Sequence, residues 1–242
     1  MKRSALLICN NDASGAQHDI EKWRKFLEST NGGAWHTGEI VSKVNPSLAE
    51  VQEIIKVIRN NQNDFVIVVY AGHGEWKRST TLELNPNGET IQETVFYNLA
   101  PRQIISLDCC RGISPLFEVV DEARERLFSD RQRSAIRDAY DRRMMEAYEQ
   151  QVILYACKKG ESAYGDNDGG FYTNNLLRQA TNFLPNNTYQ TINCAHNMAA
   201  PLTTNETKRK TGKDQHPEMV DGRCISNKQL IIGISTKMFR II

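Results

Sequence analysis

The chain has 242 residues, and 40% of them are hydrophobic, which is enough to fill the core of one large α/β domain or two small ones. Its 30 lysines and arginines nearly balance 29 aspartates and glutamates, so the overall charge gives no sign of a nucleic-acid partner. No apolar run approaches the ~20 residues that a membrane helix needs, and the apolar start of the chain is too short for a signal peptide.

Apolar runs and amphipathic stretches alternate along the chain. The predicted strands span residues 4–9, 38–44, 65–70, 80–84, 89–95, 104–107, 152–157 and 230–234. The predicted helices span residues 19–27, 48–58 after Pro46, 171–183 and 188–198. The turn sequence Asn85-Pro86-Asn87-Gly88 predicts a hairpin between 80–84 and 89–95. This order favours an α/β protein, a three-layer α/β/α sandwich with a mostly parallel central sheet.

Residues 118–151 differ from the rest because they are dense in charge and rich in arginine. Their arginines are Arg124, Arg126, Arg131, Arg133, Arg137, Arg142 and Arg143. A partial helical stripe that includes Ile136, Tyr140 and Met144 indicates a solvated helix or a helical pair. The alternative is a mobile, cleavable connector between two halves of the domain.

The six cysteines are scattered without C-x-x-C spacing, which argues against a zinc site and against a disulfide framework. We therefore expect reduced thiols, a cytoplasmic location and mostly structural cysteines in the core.

Two predicted strands end in residues that suit cysteine catalysis. Ala71-Gly72-His73-Gly74 follows the run 65–70, and Asp108-Cys109-Cys110-Arg111-Gly112 follows the run 104–107. The carboxyl ends of parallel strands form sites at one edge of the sheet, so a thiol and an imidazole are expected there together. Backbone N–H groups of Gly74 and Cys110 would then face a developing oxyanion. This chemistry is acyl transfer without a metal or an organic cofactor.

The alternation of side chains along a strand distinguishes the two neighbouring cysteines. Cys110 is expected on the same side as Asp108, whereas Cys109 points back into the core. We therefore interpret Cys110 as the nucleophile.

The stretches 70–74 and 108–112 resemble the His and Cys motifs of the caspase-like clan, peptidase family C14, and are closest to those of metacaspases and their bacterial relatives. Further similarities lie in residues 155–163, 169–177 and Gln215-His216-Pro217. The resemblance implies a caspase-hemoglobinase-like fold in one peptidase domain, residues 1–242. It would comprise a large-subunit-like part (1–117), a charged helical connector (118–151) and a small-subunit-like part (152–242).

The resemblance also implies roles for individual residues. His73 would be the general base and Cys110 the nucleophile, with the backbone of Gly74 and Cys110 as the oxyanion hole. Asp108 would line the S1 pocket, and Asp19, in a stretch that matches the family imperfectly, is a second candidate. Two carboxylates would favour Lys or Arg at P1. For Asp19 the alternative is a charge that stabilises a helix N-terminus.

The sequence thus predicts a cysteine endopeptidase that acts on proteins or peptides, with the arginine-rich connector as a self-cleavage region. The spacing of 37 residues between His73 and Cys110 is shorter than the ~50 typical of caspases, so the intervening loop is trimmed. Metacaspases often need calcium, but no acidic cluster here has convincing ligand spacing, so calcium activation stays open and no metal ligand is predicted.

No prodomain precedes the first strand, which suggests by analogy a bacterial stress or antiviral-defence effector. A partner protein, a small signal molecule or self-cleavage would activate it. One alternative is a catalytically inactive caspase-fold interaction module. Another is a flavodoxin-like nucleotide binder, but residues 10–15 contain a single glycine where a phosphate loop would need several.

Overall fold

Six strands form a sheet at the centre of the protein, which the computed structural model describes over residues 1–112, 129–221 and 224–239. The strands of these ranges are β1 (Arg3–Cys9), β2 (Ile40–Val44), β3 (Phe65–Gly72), β4 (Gly74–Trp76), β5 (Thr80–Glu83), β6 (Thr90–Gln92), β7 (Arg102–Cys109), β8 (Gln150–Tyr155), β9 (Gly165–Asp166), β10 (Gly169–Gly170), β11 (Tyr189–Thr191), β12 (Glu218–Val220) and β13 (Ile231–Ile234). The α-helices are α1 (Ala16–Glu28), α2 (Leu48–Asn60), α3 (Asp130–Met145), α4 (Phe171–Ala180) and α5 (Ile192–Thr211).

The central sheet has the strand order β12-β8-β7-β3-β1-β2. Five of its strands, β1, β2, β3, β7 and β8, are mutually parallel, and β12 at the edge runs antiparallel to β8. The inner strands are continuous apolar runs because both of their faces are covered. A separate antiparallel sheet, β4-β5-β6, follows β3 and contains the predicted hairpin.

Two hydrophobic clusters cover the two faces of the sheet. On one face, α1, α3, α4 and α5 pack against the strands, with Trp23 and Tyr140 fully buried. On the other face lie α2 and the β4-β5-β6 sheet, with Ile55 and Phe96 buried. The sequence prediction of a three-layer α/β/α sandwich with a mostly parallel sheet is confirmed, although part of one outer layer is a small sheet.

The capping residue rather than the proline sets the start of α2. The Ser47 side chain accepts a hydrogen bond from the Glu50 N–H at 3.2 Å, and the Glu50 carboxylate accepts one from the Ser47 N–H at 2.9 Å. Pro46 therefore precedes the cap. None of the helices in the described ranges is both long and apolar enough to cross a membrane.

Helix α3 accounts for the part of the predicted connector that the structure describes; residues 113–128 lie outside the described residues. Its apolar face is buried in the core, and its polar face is bonded to the rest of the fold. Asp141 Oδ1 accepts a hydrogen bond from Arg3 Nη1 at 2.9 Å, and Arg137 Nη1 donates to Glu39 Oε2 at 2.8 Å. Residues 130–145 are therefore a packed structural helix rather than a free connector.

The carboxyl-terminal third departs from the predicted elements. The stretch predicted as a helix over 188–198 starts as strand β11, and α5 begins only at Ile192 because the Thr191 hydroxyl accepts the Cys194 N–H at 3.2 Å. The helix then continues through Pro201 to Thr211. The predicted last strand forms as β13, but it pairs antiparallel with β11, outside the central sheet.

Candidate active site

The register of β3 and β7 brings His73 and Cys110 to the same place. These strands are parallel neighbours, and Gly72 lies opposite Cys109 at their carboxyl ends. The next residue of each strand, His73 and Cys110, therefore leaves the sheet at the same edge. An apolar run ends at each of these points because the chain passes from the buried sheet into a surface loop.

One cavity is lined by all four side chains that the sequence proposed for the site: His73, Cys110, Asp108 and Asp19. The remaining lining residues are Ala13, Ser14, Ala16, Gly72, Cys109, Ala163, Tyr164, Gly165 and Gly170. They come from the β1–α1 loop, the start of α1, the last residues of β3 and β7, and the segment that leads from β8 to α4. A thiol, an imidazole and two carboxyl groups thus share one concave site, the arrangement expected of a catalytic pocket.

The two adjacent cysteines have different surroundings. Cys110 is 7% exposed, and its Sγ donates a hydrogen bond to the Ala163 carbonyl at 3.6 Å. Cys109 is 2% exposed and belongs to the core cluster on the hairpin side of the sheet. Burial, reinforced by the neighbouring Cys157, raises the pKa of the Cys109 thiol well above its usual value. Cys109 therefore stays a protonated thiol and is poorly suited to nucleophilic attack.

Gly74 lies directly against the cysteine loop. A Cβ at this position would come within 2.8 Å of Cys109 Sγ and 3.0 Å of the Cys110 carbonyl oxygen, so only glycine fits. The Glu83 N–H donates to the His73 carbonyl at 3.0 Å, which makes this a hydrogen-bonded pair of the antiparallel ladder. The next pair, Gly74 with Leu82, is then a non-hydrogen-bonded pair, and the Gly74 N–H points away from β5.

The backbone at His73 is held by a buried tyrosine. The Tyr70 hydroxyl donates to the His73 carbonyl at 2.7 Å and also contacts the carbonyl of Glu83. Burial raises the pKa of Tyr70 well above its usual value, so this hydroxyl remains a donor. The loop that carries His73 is thereby fixed from the core side of β3.

The first turn of α4 holds both acidic side chains of the cavity. The Gly170 N–H donates to Asp19 Oδ1 and Oδ2 at 2.9 and 3.0 Å. Thr173 donates to Asp108 Oδ2 through its N–H at 3.1 Å and its hydroxyl at 2.7 Å. A Cβ on Gly170 would come within 2.2 Å of Asp108 Oδ2, and one on Gly169 within 2.1 Å of Asp19 Oδ1. The Gly-Gly pair therefore allows the helix to approach both carboxyl groups.

Both acids are nearly inaccessible: Asp19 is 3% and Asp108 is 7% exposed. Burial raises the pKa of each, and the Asp108 charge raises that of Asp19 further. The Gly170 N–H and the Lys22 ammonium oppose the shift at Asp19, and Thr173 opposes it at Asp108. Asp19 lines the cavity and also lies in the first turn of α1, so the alternative of a charge that stabilises this helix N-terminus stays open.

Gln215 supports the wall of the cavity from behind. Its Nε2 donates to the Ala156 carbonyl at 2.9 Å, and its Oε1 accepts from the Tyr164 N–H at 3.0 Å and from the Thr207 hydroxyl at 2.9 Å. The side chain is fully buried. Gln215 therefore joins the end of β8, the cavity wall and α5.

Arg111 does not line this cavity. Its Nη1 contacts Glu218 Oε2 at 2.9 Å, and its guanidinium carbon lies 3.9 Å from the centre of the Tyr155 ring. Its backbone N–H and carbonyl bond to Glu161 and Gly160. The residue fastens the cysteine loop to the β8 loop.

Sequence reasoning missed the groups that hold the acids and the wall. Thr173 belongs to the predicted helix 171–183 and Gly170 only to the stretch 169–177 that resembles the family. The backbone N–H that Gly170 contributes is a group that almost every residue has. The available signal was the Gly-Gly pair directly before the helix, which indicates a close approach of the backbone.

Within residues 1–112, 129–221 and 224–239, no group of three or more His, Cys, Asp or Glu side chains is placed to hold a metal ion. All six cysteines are free thiols. Calcium activation stays open.

Comparison with known proteins agrees with the fold. The structure is similar to the crystal structure of caspase-1 from Spodoptera frugiperda, with a TM-score of 0.56, 12% sequence identity, and coverage of 90% of this chain and 86% of that one. At this identity the similarity shows the fold alone. No curated protein matches the sequence. The family model of the caspase domain, peptidase C14, matches residues 2–225, and the chain therefore belongs to this family of cysteine peptidases.

Proposed function

We propose that the protein is an active cysteine endopeptidase that cleaves protein substrates after Arg or Lys, with His73 as general base and Cys110 as nucleophile. The observation that carries the proposal is the single cavity in which His73, Cys110, Asp19 and Asp108 meet. Membership of the caspase domain family supports the reaction class. The two acids support the choice of a basic P1 residue.

The reaction follows from these groups. His73 takes the proton of the Cys110 thiol, and the thiolate attacks the carbonyl carbon of the scissile peptide bond. The oxyanion that forms would accept hydrogen bonds from the backbone N–H groups of Gly74 and Cys110. The C–N bond then breaks as His73 gives its proton to the leaving amine. Water, deprotonated by His73, hydrolyses the thioester and restores the thiol.

The specificity is assigned to the acids because the described lining of the cavity contains two carboxyl groups and neither lysine nor arginine. A guanidinium or ammonium group that enters would form charge-assisted hydrogen bonds and would offset the cost of burying a carboxylate. An acidic P1 side chain would meet like charge.

The proposal extends to regulation. We place the protein in the cytoplasm, with a partner protein, a small signal molecule or self-cleavage as its trigger, in a bacterial stress or antiviral response. For self-cleavage, the packing of α3 makes Arg137 a poor site, because its guanidinium is bonded to Glu39 and to the Ala34 carbonyl. Arg131, which is exposed at the start of α3, is accessible.

The experiment compares purified wild-type protein with Cys110→Ala and Cys109→Ala on fluorogenic peptides that end in Arg, Lys or Asp, with and without calcium. We expect cleavage after Arg and Lys only, its loss in Cys110→Ala by a factor on the order of 10³ or more, and its retention in Cys109→Ala. Cleavage after Asp alone would overturn the specificity. If neither wild type nor the two variants cleave any of the peptides, and Cys110→Ala has the same effect in cells as wild type, the protein is an inactive interaction module instead.

A further inference from the structure

A second cleft, of about 600 Å³, begins where the cavity of the active site ends. Cys110 lines the cavity, and the next residue, Arg111, lines the cleft. The cleft is also lined by Trp76 and Arg78, which follow His73 on the hairpin, and by Lys159 on the loop after β8. Both loops that carry the proposed catalytic residues thus continue directly into its walls.

The rim of the cleft is cationic. Arg111 is neutralised by Glu218 at 2.9 Å, whereas Arg78 and Lys159 are exposed and form no ion pair with any residue that the structure describes. Glu93 is the remaining acid of the lining, but it is 4% exposed and its Oε1 accepts the Thr80 N–H at 2.9 Å. Glu93 therefore lies at the floor of the cleft, and Arg78 and Lys159 lie at its entrance.

An aromatic ring lies beside one of these cations. The Lys159 ammonium lies 4.8 Å from the centre of the Trp76 ring, and Trp76 is 37% exposed. This contact joins the hairpin after His73 to the loop after β8. An extended peptide in the cleft would pass along this ring and ammonium group.

The chemistry of the leaving group tells which part of a substrate reaches this cleft. His73 must protonate the departing amine, so the residues after the scissile bond lie on the side of His73. The hairpin that begins at Gly74 forms the wall on that side and carries Trp76 and Arg78. The residues before the scissile bond then lie along the opposite wall, Ala163 to Gly165, which lines the P1 cavity.

We propose that this cleft binds the first few residues after the scissile bond and selects substrates with acidic side chains there. The inference rests on the proposed function and deepens it: the preferred substrate is a protein segment in which Arg or Lys is followed by Asp or Glu. Arg78 and Lys159 are the specificity-determining residues.

Two kinds of substrate separate this inference from the proposed function. Fluorogenic peptides that end in Arg carry a small fluorophore in place of the residues after the cleaved bond, so they cannot use the cleft. Internally quenched peptides with the same residues before that bond carry Asp, Ser or Lys after it. We compare wild type with Arg78→Glu, Lys159→Glu and, as a matched control on the same hairpin, Lys77→Glu, which pairs with Glu75 and does not line the cleft.

We expect wild type and Lys77→Glu to prefer the Asp peptides, and Arg78→Glu and Lys159→Glu to lower kcat/KM on them by about fivefold each, with activity on the fluorophore substrate unchanged. The preference should also weaken as salt is raised. If wild type cleaves all quenched peptides equally, or if the two variants behave like Lys77→Glu, the assignment of the cleft is wrong while the proposed function stands. If wild type fails on the fluorophore substrate as well, the proposed function fails with it.

Discussion

Asp19 and Asp108 are 89 residues apart in the chain, yet both accept hydrogen bonds from the start of α4, Asp19 from Gly170 and Asp108 from Thr173. The positive end of the helix dipole and the N–H groups of the first turn favour negative charge at this point. Burial and the mutual repulsion of the two carboxylates oppose it, and the pKa of each is raised. A cationic side chain would be the group that makes full ionisation of this pair favourable.

Neutralising one acid should therefore weaken activity without weakening the fold. For Asp108→Asn we expect kcat/KM on Arg-ending peptides to fall by about 10- to 100-fold, the loss of one charge-assisted hydrogen bond. The amide oxygen can still accept both bonds from Thr173, and a buried charge is removed, so the Tm at pH 8 should equal or exceed that of wild type. Enzyme kinetics and thermal denaturation measure the two effects.

Asp64→Asn is the matched control, because this residue lies just before β3, at the opposite end of the sheet. It should leave kcat/KM unchanged. A Tm of Asp108→Asn well below that of wild type at pH 8, with activity lost in proportion to unfolding, would show that Asp108 is structural.

The raised pKa values also predict how substrate selection depends on pH. At low pH the pair holds protons and attracts cations weakly; as the pH rises through the raised pKa values, the carboxyl groups ionise and Arg binding improves. The ratio of kcat/KM for Arg over its neutral isostere citrulline should thus increase with pH, and any effect of pH on the chemical step that both substrates share cancels in that ratio. In Asp108→Asn the ratio should rise less and at lower pH, because Asp19 still titrates but without the Asp108 charge beside it; a ratio that is flat in wild type would contradict the idea.

A rise in pH has the opposite effect on stability: it improves the binding of Arg by Asp19 and Asp108 but lowers the contribution of these two residues to the stability of the fold. The folded protein keeps protons that the unfolded chain has already released, so the stability that the pair contributes is complete below the ordinary pKa of aspartate and is lost as the pH rises through the raised values. Urea denaturation of wild type and Asp108→Asn between pH 4 and pH 8 would show this: the difference in unfolding free energy should shift in favour of the variant as the pH rises.

The sequence predicted the part of the site that regular strands build. β3 and β7 are buried on both faces, so β3 is a continuous apolar run and the middle of β7 is apolar apart from Ser106. The change to His73 and Cys110 marks where each strand leaves the core. Parallel pairing then places these residues together. The alternation along β7 places Asp108 on the same side as Cys110, whereas its part in the pocket is implied only by the family resemblance.

Other elements depend on contacts that the sequence does not display. β12 has three residues, of which Val220 is 55% exposed, so no apolar pattern marks it; it forms because β8 offers an edge. The segment predicted as a helix over 188–198 carries an N-cap residue, Thr191, inside it, and pairing with β13 decides that the part before the cap is extended. The bonds that hold Asp19 come from a backbone N–H group, which the sequence marks only through the Gly-Gly pair before α4.

Lys22 positions the segment around Gly170 that holds Asp19. From the turn of α1 after Asp19, its ammonium contacts Asp168 Oδ1 and Asn174 Oδ1, both at 2.7 Å. These residues flank Gly170, the donor to Asp19, and the Lys22 charge also lowers the pKa of Asp19.

For Lys22→Met we expect KM for Arg-ending peptides to rise by about fivefold with kcat little changed, as for the loss of one ion pair at a partly exposed site. The rise of the Arg-over-citrulline ratio should move to higher pH, since the pKa of Asp19 is no longer lowered. Lys22→Arg keeps the charge and can still reach Asp168, so it should restore both. A merely structural lysine would change Tm and active fraction but not the pH at which the ratio rises; an unshifted profile in Lys22→Met would therefore remove Lys22 from the positioning of the pocket.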